Sequence, residues 1–180
     1  WFNETDYEKK GTFIKWNPAI KTLDDRNALR SALINNTIDV VATDHAPHTR
    51  EEKNKNYFKA PSGGPLVQHA LIAMLELYHQ GVFSLELIVE KMAHKPAEIF
   101  QVAQRGFVRE GYFADLVMVN LNDPWVVSTS NIKYKCGWSP FEEQQFQSKV
   151  LKTFVNGRIV FENDAIIDKG LSAMPLRFNR

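Results

Sequence analysis

Apolar positions follow two rhythms along this chain. Up to about residue 104, short apolar runs alternate with stretches in which apolar residues recur every third or fourth position, the pattern of helices packed on strands. Beyond that point the spacing shortens to two, the period of half-buried strands. Trp1 to Lys10 is polar and aromatic and reads as a loop or exposed edge. Gly11-Thr12-Phe13-Ile14-Lys15-Trp16 reads as a short strand closed by the turn pair Asn17-Pro18. Thr22 is placed to cap a helix, with Asp24 and Asp25 in the first turn, where carboxylates favour the helix dipole. Ala28, Leu29, Ala32 and Leu33 supply its apolar face, and Asn35-Asn36 ends it. Ile38 to Thr43 then predicts a buried strand with Asp44 at its tip. Strand, helix and strand within roughly 30 residues make a βαβ unit, whose two strands run parallel.

Asp44 to Pro65 is a connection of roughly twenty residues, and a loop of that length usually has a task. Its densest charged stretch, Arg50-Glu51-Glu52-Lys53-Asn54-Lys55, mixes signs and reads as solvated. Leu66 to Gln80 predicts a helix with Leu66, Ala70, Met74 and Leu77 on one face and Gly81 as its stop. Ser84 caps a further helix in which Leu85, Ile88, Val89 and Met92 form one face, and Pro96 suits the first turn of a short one through Phe100. In the second half, Gly106 to Val108, Ala114 to Val119 and Val150 to Val155 read as strands. Asn156-Gly157 before Arg158-Ile159-Val160 is the sharpest hairpin signal in the chain. The fold class expected is α/β, with 1–104 and 105–180 as two domains, the second mainly antiparallel β.

Composition narrows the partners. Apolar residues are 44% and charged residues 24%, the balance of a globular chain with a real core. With 22 basic and 21 acidic side chains the net charge is +1, so no broad field favours nucleic acid or an anionic membrane. No apolar run approaches the ~18 residues that span a bilayer. The single cysteine, Cys136, excludes an internal disulfide and fits a reducing cytoplasm.

Candidate chemistry concentrates in Thr43-Asp44-His45-Ala46-Pro47-His48-Thr49. A carboxylate at a strand tip can bind a metal through oxygen or accept a proton from an activated water. His48 lies four residues on, beyond the stiffening Pro47, where it can orient that water or donate to an anionic substrate group. Spacing alone leaves a second reading open: a capped strand end with hydrogen-bonded histidines and no catalytic role.

The segments Lys15-Trp16-Asn17-Pro18-Ala19-Ile20, Asp24 to Leu29, Ile38 to Thr49 and Lys59-Ala60-Pro61-Ser62-Gly63-Gly64 resemble the dihydroorotase branch of the metal-dependent cyclic-amide hydrolases. Glu110 to Val117 and Lys135 to Glu142 resemble that family too. The resemblance implies the C-terminal part of a (β/α)8 TIM barrel followed by part of a composite β-sandwich. It implies zinc, one or two ions, and reversible hydrolysis of dihydroorotate to N-carbamoyl-aspartate in pyrimidine biosynthesis. Carried over by position, Asp44 would end the eighth strand, bind zinc weakly and act as general base. His48 would hold the substrate carboxylate, Asn17 would meet the ring or its carboxylate, and Ser62 and Gly63 would contact the ring through backbone groups. His45 reads as supporting or structural.

Such an enzyme draws its other metal ligands from upstream, including a His-x-His pair that this sequence lacks. His69, His79 and His94 lie in helical stretches, and His69 and His79 read as surface or partly buried packing residues rather than ligands. The chain, which begins at Trp1, is therefore expected to be the C-terminal portion of an enzyme, inactive alone, with the N-terminal part and further copies of itself as partners. Competing readings are a hydantoinase or allantoinase, and a dihydroorotase-like scaffold that does no chemistry. Trp125, Trp138 and Phe141 could mark a binding surface, although aromatic residues in β domains are more often core.

Overall fold

A computed structural model describes residues 1–167, 170 and 172–179. They form two compact units, one of Trp1–Ile38, Ala42–Met74 and Val126–Phe146, the other of Asp39–Val41, Leu75–Trp125 and Gln147–Arg180.

In the first unit the N-terminal segment is helical rather than a loop. Asn3 and Asp6 form a capping box around the 3-10 turn Glu4–Asp6, and helix α1 (Tyr7–Lys10) follows. The strand expected at 11–16 begins instead as a second 3-10 turn, Gly11–Ile14, and only at Lys15 does the backbone become extended. Helix α2 (Leu23–Ile34) starts where expected: the Thr22 hydroxyl takes the Asp25 amide at 3.2 Å, and Asp25 reaches back to Thr22. None of its residues is buried, and Leu29 on the expected apolar face is 58% exposed.

Residues 38–43 lie in no strand among the described residues. A strand exists through hydrogen bonds to a neighbour, and here the Val41 amide goes to the Lys91 carbonyl of a helical turn instead. A parallel bridge appears just beyond, between His45 and Gly64.

The stretch expected to be solvated holds a short helix, α3 (Arg50–Lys53), closed by a capping box between Thr49 and Glu52. Lys53 is fully buried, contrary to the expectation from its charge. Helix α4 (Ala70–His79), whose residues up to Met74 belong to this unit, begins four residues later than predicted, after a turn at 67–69. The core of this unit is aromatic. Phe2 lies 5.5 Å from Trp16 and 5.4 Å from Phe141, which in turn meets Phe146 at 5.6 Å. Trp138 and Phe141 are buried, as core residues rather than a surface.

In the second unit Ser84 caps helix α5 (Leu85–Val89), which runs through a π turn (Glu90–His94) into α6 (Lys95–Ile99), with Pro96 in its first turn. The strand expected at 106–108 is absent. Gly106 adopts φ +82 and sits so close to this helix that a Cβ would lie 2.3 Å from that of Ala97. Strands β1 (Leu116–Asn120), β4 (Lys149–Val155), β5 (Arg158–Glu162) and β6 (Ala165–Ile166) form an antiparallel sheet in the order β1-β4-β5-β6. The two-residue strands β2 (Trp125–Val126) and β3 (Gln145–Phe146) lie between β1 and β4 in the chain. Asn156 and Gly157, at φ +50 and +78, make the predicted hairpin turn.

Candidate active site

Asp44 has φ +43, in the left-handed region that aspartate tolerates better than most residues, and it is exposed. The backbone turns there and then runs beside a second extended segment. His45 bridges Gly64, and the Ala46 amide bonds to the Gly64 carbonyl at 3.2 Å. Asp44 and Gly63 therefore occupy corresponding positions, one residue before each bridge partner.

Gly63 could be no other residue. Its φ is +128, and a Cβ would lie 2.5 Å from the Ala46 carbonyl oxygen and 2.9 Å from the Ala46 methyl. Gly64 is nearly as constrained, because a Cβ there would come within 2.8 Å of the Trp16 Nε1. Both backbone groups of Gly63 are used internally. Its amide donates to the Lys15 carbonyl at 3.0 Å, and its carbonyl accepts from the Lys53 Nζ at 2.8 Å. The first bond joins this segment to the stretch bearing Asn17, whose side chain is exposed.

His48 donates from Nε2 to the Ser62 carbonyl at 3.0 Å, and its Nδ1 lies 3.7 Å from Glu52. Its own carbonyl receives the indole N–H of the buried Trp138 at 2.7 Å. Arg50 fastens the same region by pairing with Glu142 at 2.8 Å. His45 has a different duty. Its Nδ1 accepts from the amides of Leu66 and Val67, at 3.0 and 3.3 Å, in the turn leading to α4. Those amides precede the helix and have no helical partner of their own.

Of the residues singled out from the sequence, His48 meets Ser62, Gly63 packs on Ala46, and Asn17 follows the segment that Gly63 bonds. Three residues of the site escape sequence reasoning. Lys53 donates to the carbonyls of Lys15, Pro61 and Gly63, at 3.2, 2.9 and 2.8 Å. Burial, and then the nearby Lys15, lowers its pKa to about 8. Lys15 spans the loop from outside, reaching the Tyr57 and Ala60 carbonyls at 2.6 and 2.7 Å. Trp138 is the third: its sequence context marks it as a surface or core aromatic, not as the donor to the His48 carbonyl. The sequence signal for the Lys53 helix is Thr49-Arg50-Glu51-Glu52, the spacing of a capping box.

His69 is buried completely rather than partly exposed, and it is a packing residue. Its Nδ1 lies 3.2 Å from the Tyr134 hydroxyl and 3.1 Å from the Ser139 hydroxyl. Burial lowers its pKa to about 4 and raises that of Tyr134. Among the described residues, no three His, Cys, Asp or Glu side chains gather closely enough to hold a metal ion.

This geometry meets a family pattern: residues 21–160 match the model of the amidohydrolase family. The chain belongs to the amidohydrolase family. It is 38% identical over 159 residues to a dihydroorotase of Anaplasma phagocytophilum, covering 88% of this chain and 35% of that protein. A dihydroorotase of Halobacterium salinarum is 37% identical over 161 residues, covering 89% and 38%. The chain thus spans little more than a third of these curated relatives. Among solved structures, the L-hydantoinase (dihydropyrimidinase) of Arthrobacter aurescens superposes with a TM-score of 0.87 at 28% identity, over 93% of this chain and 38% of that one. A D-hydantoinase at 20% identity and TM-score 0.84 shares the fold. The fold class is α/β, that of the amidohydrolase barrel proteins. Among the described residues no helix is long and apolar enough to cross a membrane.

Proposed function

We propose that this chain is the Asp44-bearing part of a dihydroorotase, which opens the cyclic amide of dihydroorotate to N-carbamoyl-aspartate and closes it again. The observation that carries this reading is the join between 44–48 and 62–64. There Asp44, His48 and a glycine with no room for a side chain lie on two bridged segments, in a chain 38% identical to a dihydroorotase.

Amide hydrolysis needs a base for the attacking water and an acid for the leaving nitrogen. Asp44, exposed at the turn, takes the proton from water and returns it to nitrogen, so one carboxylate serves both directions. His48 meets the substrate carboxylate. Because its Nε2 proton is already on Ser62, it does so by exchanging that carbonyl for the ligand. The carbonyls of Ser62 and Gly63 each keep a second lone pair for a ring N–H, and Asn17 supplies an amide from the adjoining segment.

Zinc is the metal we propose, and bound there it would lower the pKa of water toward ~7 and polarise the scissile carbonyl. Asp44 offers one ligand. The remainder of a zinc shell must come from outside the described residues, since these contain no such cluster. We assign 1–104 to the catalytic barrel and 105–180 to the β domain. A cytoplasmic enzyme fits the single free cysteine, and we propose that it acts as a homo-oligomer.

The superposition on a hydantoinase at 28% identity favours a second reading, hydrolysis of hydantoin-type rings. The test is ring opening by the complete zinc enzyme and its Asp44→Ala variant, with dihydroorotate, hydantoin and allantoin. Turnover of dihydroorotate that the substitution abolishes supports the proposal. Preference for hydantoin supports the second reading, and no turnover by a folded enzyme points to a non-catalytic scaffold.

A further inference from the structure

Lys53 stands apart from every other charged side chain of the first unit. Its whole length is out of solvent, and its ammonium group is spent on three backbone carbonyls that belong to two separate stretches of chain. Two of the three, on Pro61 and Gly63, flank Ser62. The third, on Lys15, lies two residues before Asn17 and also receives the Gly63 amide. An ammonium has three donors and no acceptor, so three converging carbonyls fill its capacity. The lysine backbone is itself anchored, because the Thr12 hydroxyl donates to the Lys53 carbonyl. Helix α3, which carries Lys53, is closed by its own capping box and tied to Glu142 through Arg50.

A buried charge costs several kcal/mol unless its surroundings satisfy it. Backbone carbonyls on their own would be satisfied more cheaply by amides or water. The arrangement gains something that water would not give: one point that fixes the distance between 15–17 and 61–63, the two stretches that flank the proposed substrate ring.

We propose that Lys53 is a positioning residue for the reaction, holding the 61–63 backbone against the Lys15–Asn17 segment so that Asn17, Ser62 and Gly63 present one preformed surface to the ring. This rests on the dihydroorotase reading for its substrate, but not for the hold itself.

The experiment uses the complete enzyme with Lys53→Met, which keeps the length and removes the donors, and Lys53→Arg, which keeps the charge. Amide hydrogen exchange at Gly63, whose N–H is held by the Lys15 carbonyl, is followed beside dihydroorotate kinetics. In Lys53→Met, exchange at this amide is expected to quicken by about tenfold or more while that of α4 is unchanged. KM is expected to rise by about tenfold with kcat within about threefold, and Lys53→Arg to recover part of both effects. Unchanged exchange overturns the proposal whatever the substrate, as does faster exchange with unchanged KM. If exchange quickens but the wild-type enzyme does not open dihydroorotate, the functional reading fails and the hold of Lys53 on the segment stands. Should Lys53→Met not fold, Lys53→Gln is judged by the same criteria. Failure of both to fold makes Lys53 a folding residue only and overturns the proposal.

Discussion

The Nε2 of His48 donates to the carbonyl of Ser62 at 3.0 Å, so two residues fourteen apart in sequence hold one another across the site. A carbonyl can only accept, which fixes the proton on Nε2. The ring is thus a clamp on the 62–64 segment, and its Nε2 proton is the one a bound anion would have to win from Ser62.

Replacing His48 by Ala removes clamp and donor together. A neutral hydrogen bond contributes about 1 kcal/mol to stability, so the fold should survive with a modestly lower Tm. Loss of a contact to a substrate carboxylate costs more, and KM for dihydroorotate should rise by about tenfold to a hundredfold. Steady-state kinetics on the complete enzyme decide it. An unchanged KM would remove His48 from substrate binding and leave it a structural clamp.

Gly63 and Gly111 form a matched pair. Both have positive φ, +128 and +79, but a Cβ on Gly63 meets the Ala46 carbonyl at 2.5 Å while one on Gly111 meets nothing within 4 Å. Gly111→Ala should cost only the backbone strain, about 1 kcal/mol. Gly63→Ala must also part the 44–48 and 62–64 segments, and we expect a loss of about 2–4 kcal/mol with activity falling at least tenfold. Equal Tm values for the two variants would show that the close approach at Gly63 is not rigid.

Local chemistry made part of this architecture legible in advance. Thr22 with Asp25, Ser84 with Leu87, and Asn156-Gly157 act within three residues of themselves, so their caps and turn formed as read. Residues 11–16 and 106–108 have strand-like composition, but a strand depends on a partner, and none pairs with them among the described residues. The Asp44–His48 loop and the Ser62-Gly63 segment stood out by resemblance. Their junction did not, because it runs through the His45–Gly64 bridge and the His48–Ser62 bond, between residues far apart in sequence, and neither did the reach of Lys53 to Lys15, 38 residues away. A lysine in a run of mixed charge gives no sign that the chain will close over it.

His69 gives the first unit a pH dependence whose sign follows from its burial. Its folded pKa is lowered to about 4 from 6.5 by desolvation, so between those values the unfolded chain binds the proton and the folded one does not. Stability is therefore complete above about pH 6.5 and declines as pH falls toward 4, by up to about 3 kcal/mol from this group. Urea unfolding at several pH values between 4.5 and 7 should show a steeper acid loss for wild type than for His69→Gln, which cannot titrate. Parallel curves would mean that His69 is not held neutral.

Zinc tests how much of a metal site the described residues contain. Asp44 is exposed on its turn, and no cluster of three potential ligands accompanies it among those residues. A structural or catalytic zinc takes at least three protein ligands, and a lone carboxylate in water binds it weakly. The 180-residue chain should accordingly bind Zn²⁺ no more tightly than its Asp44→Ala variant, with no stoichiometric uptake in calorimetry at micromolar concentrations. In the complete enzyme the same substitution should abolish turnover if Asp44 is the base proposed above, and loosen the metal while leaving other ligands in place. The two experiments separate a residue that creates a site from one that completes it. Tight one-to-one zinc on the 180-residue chain, lost in Asp44→Ala, would require a ligand set among these residues that the structure does not bring together.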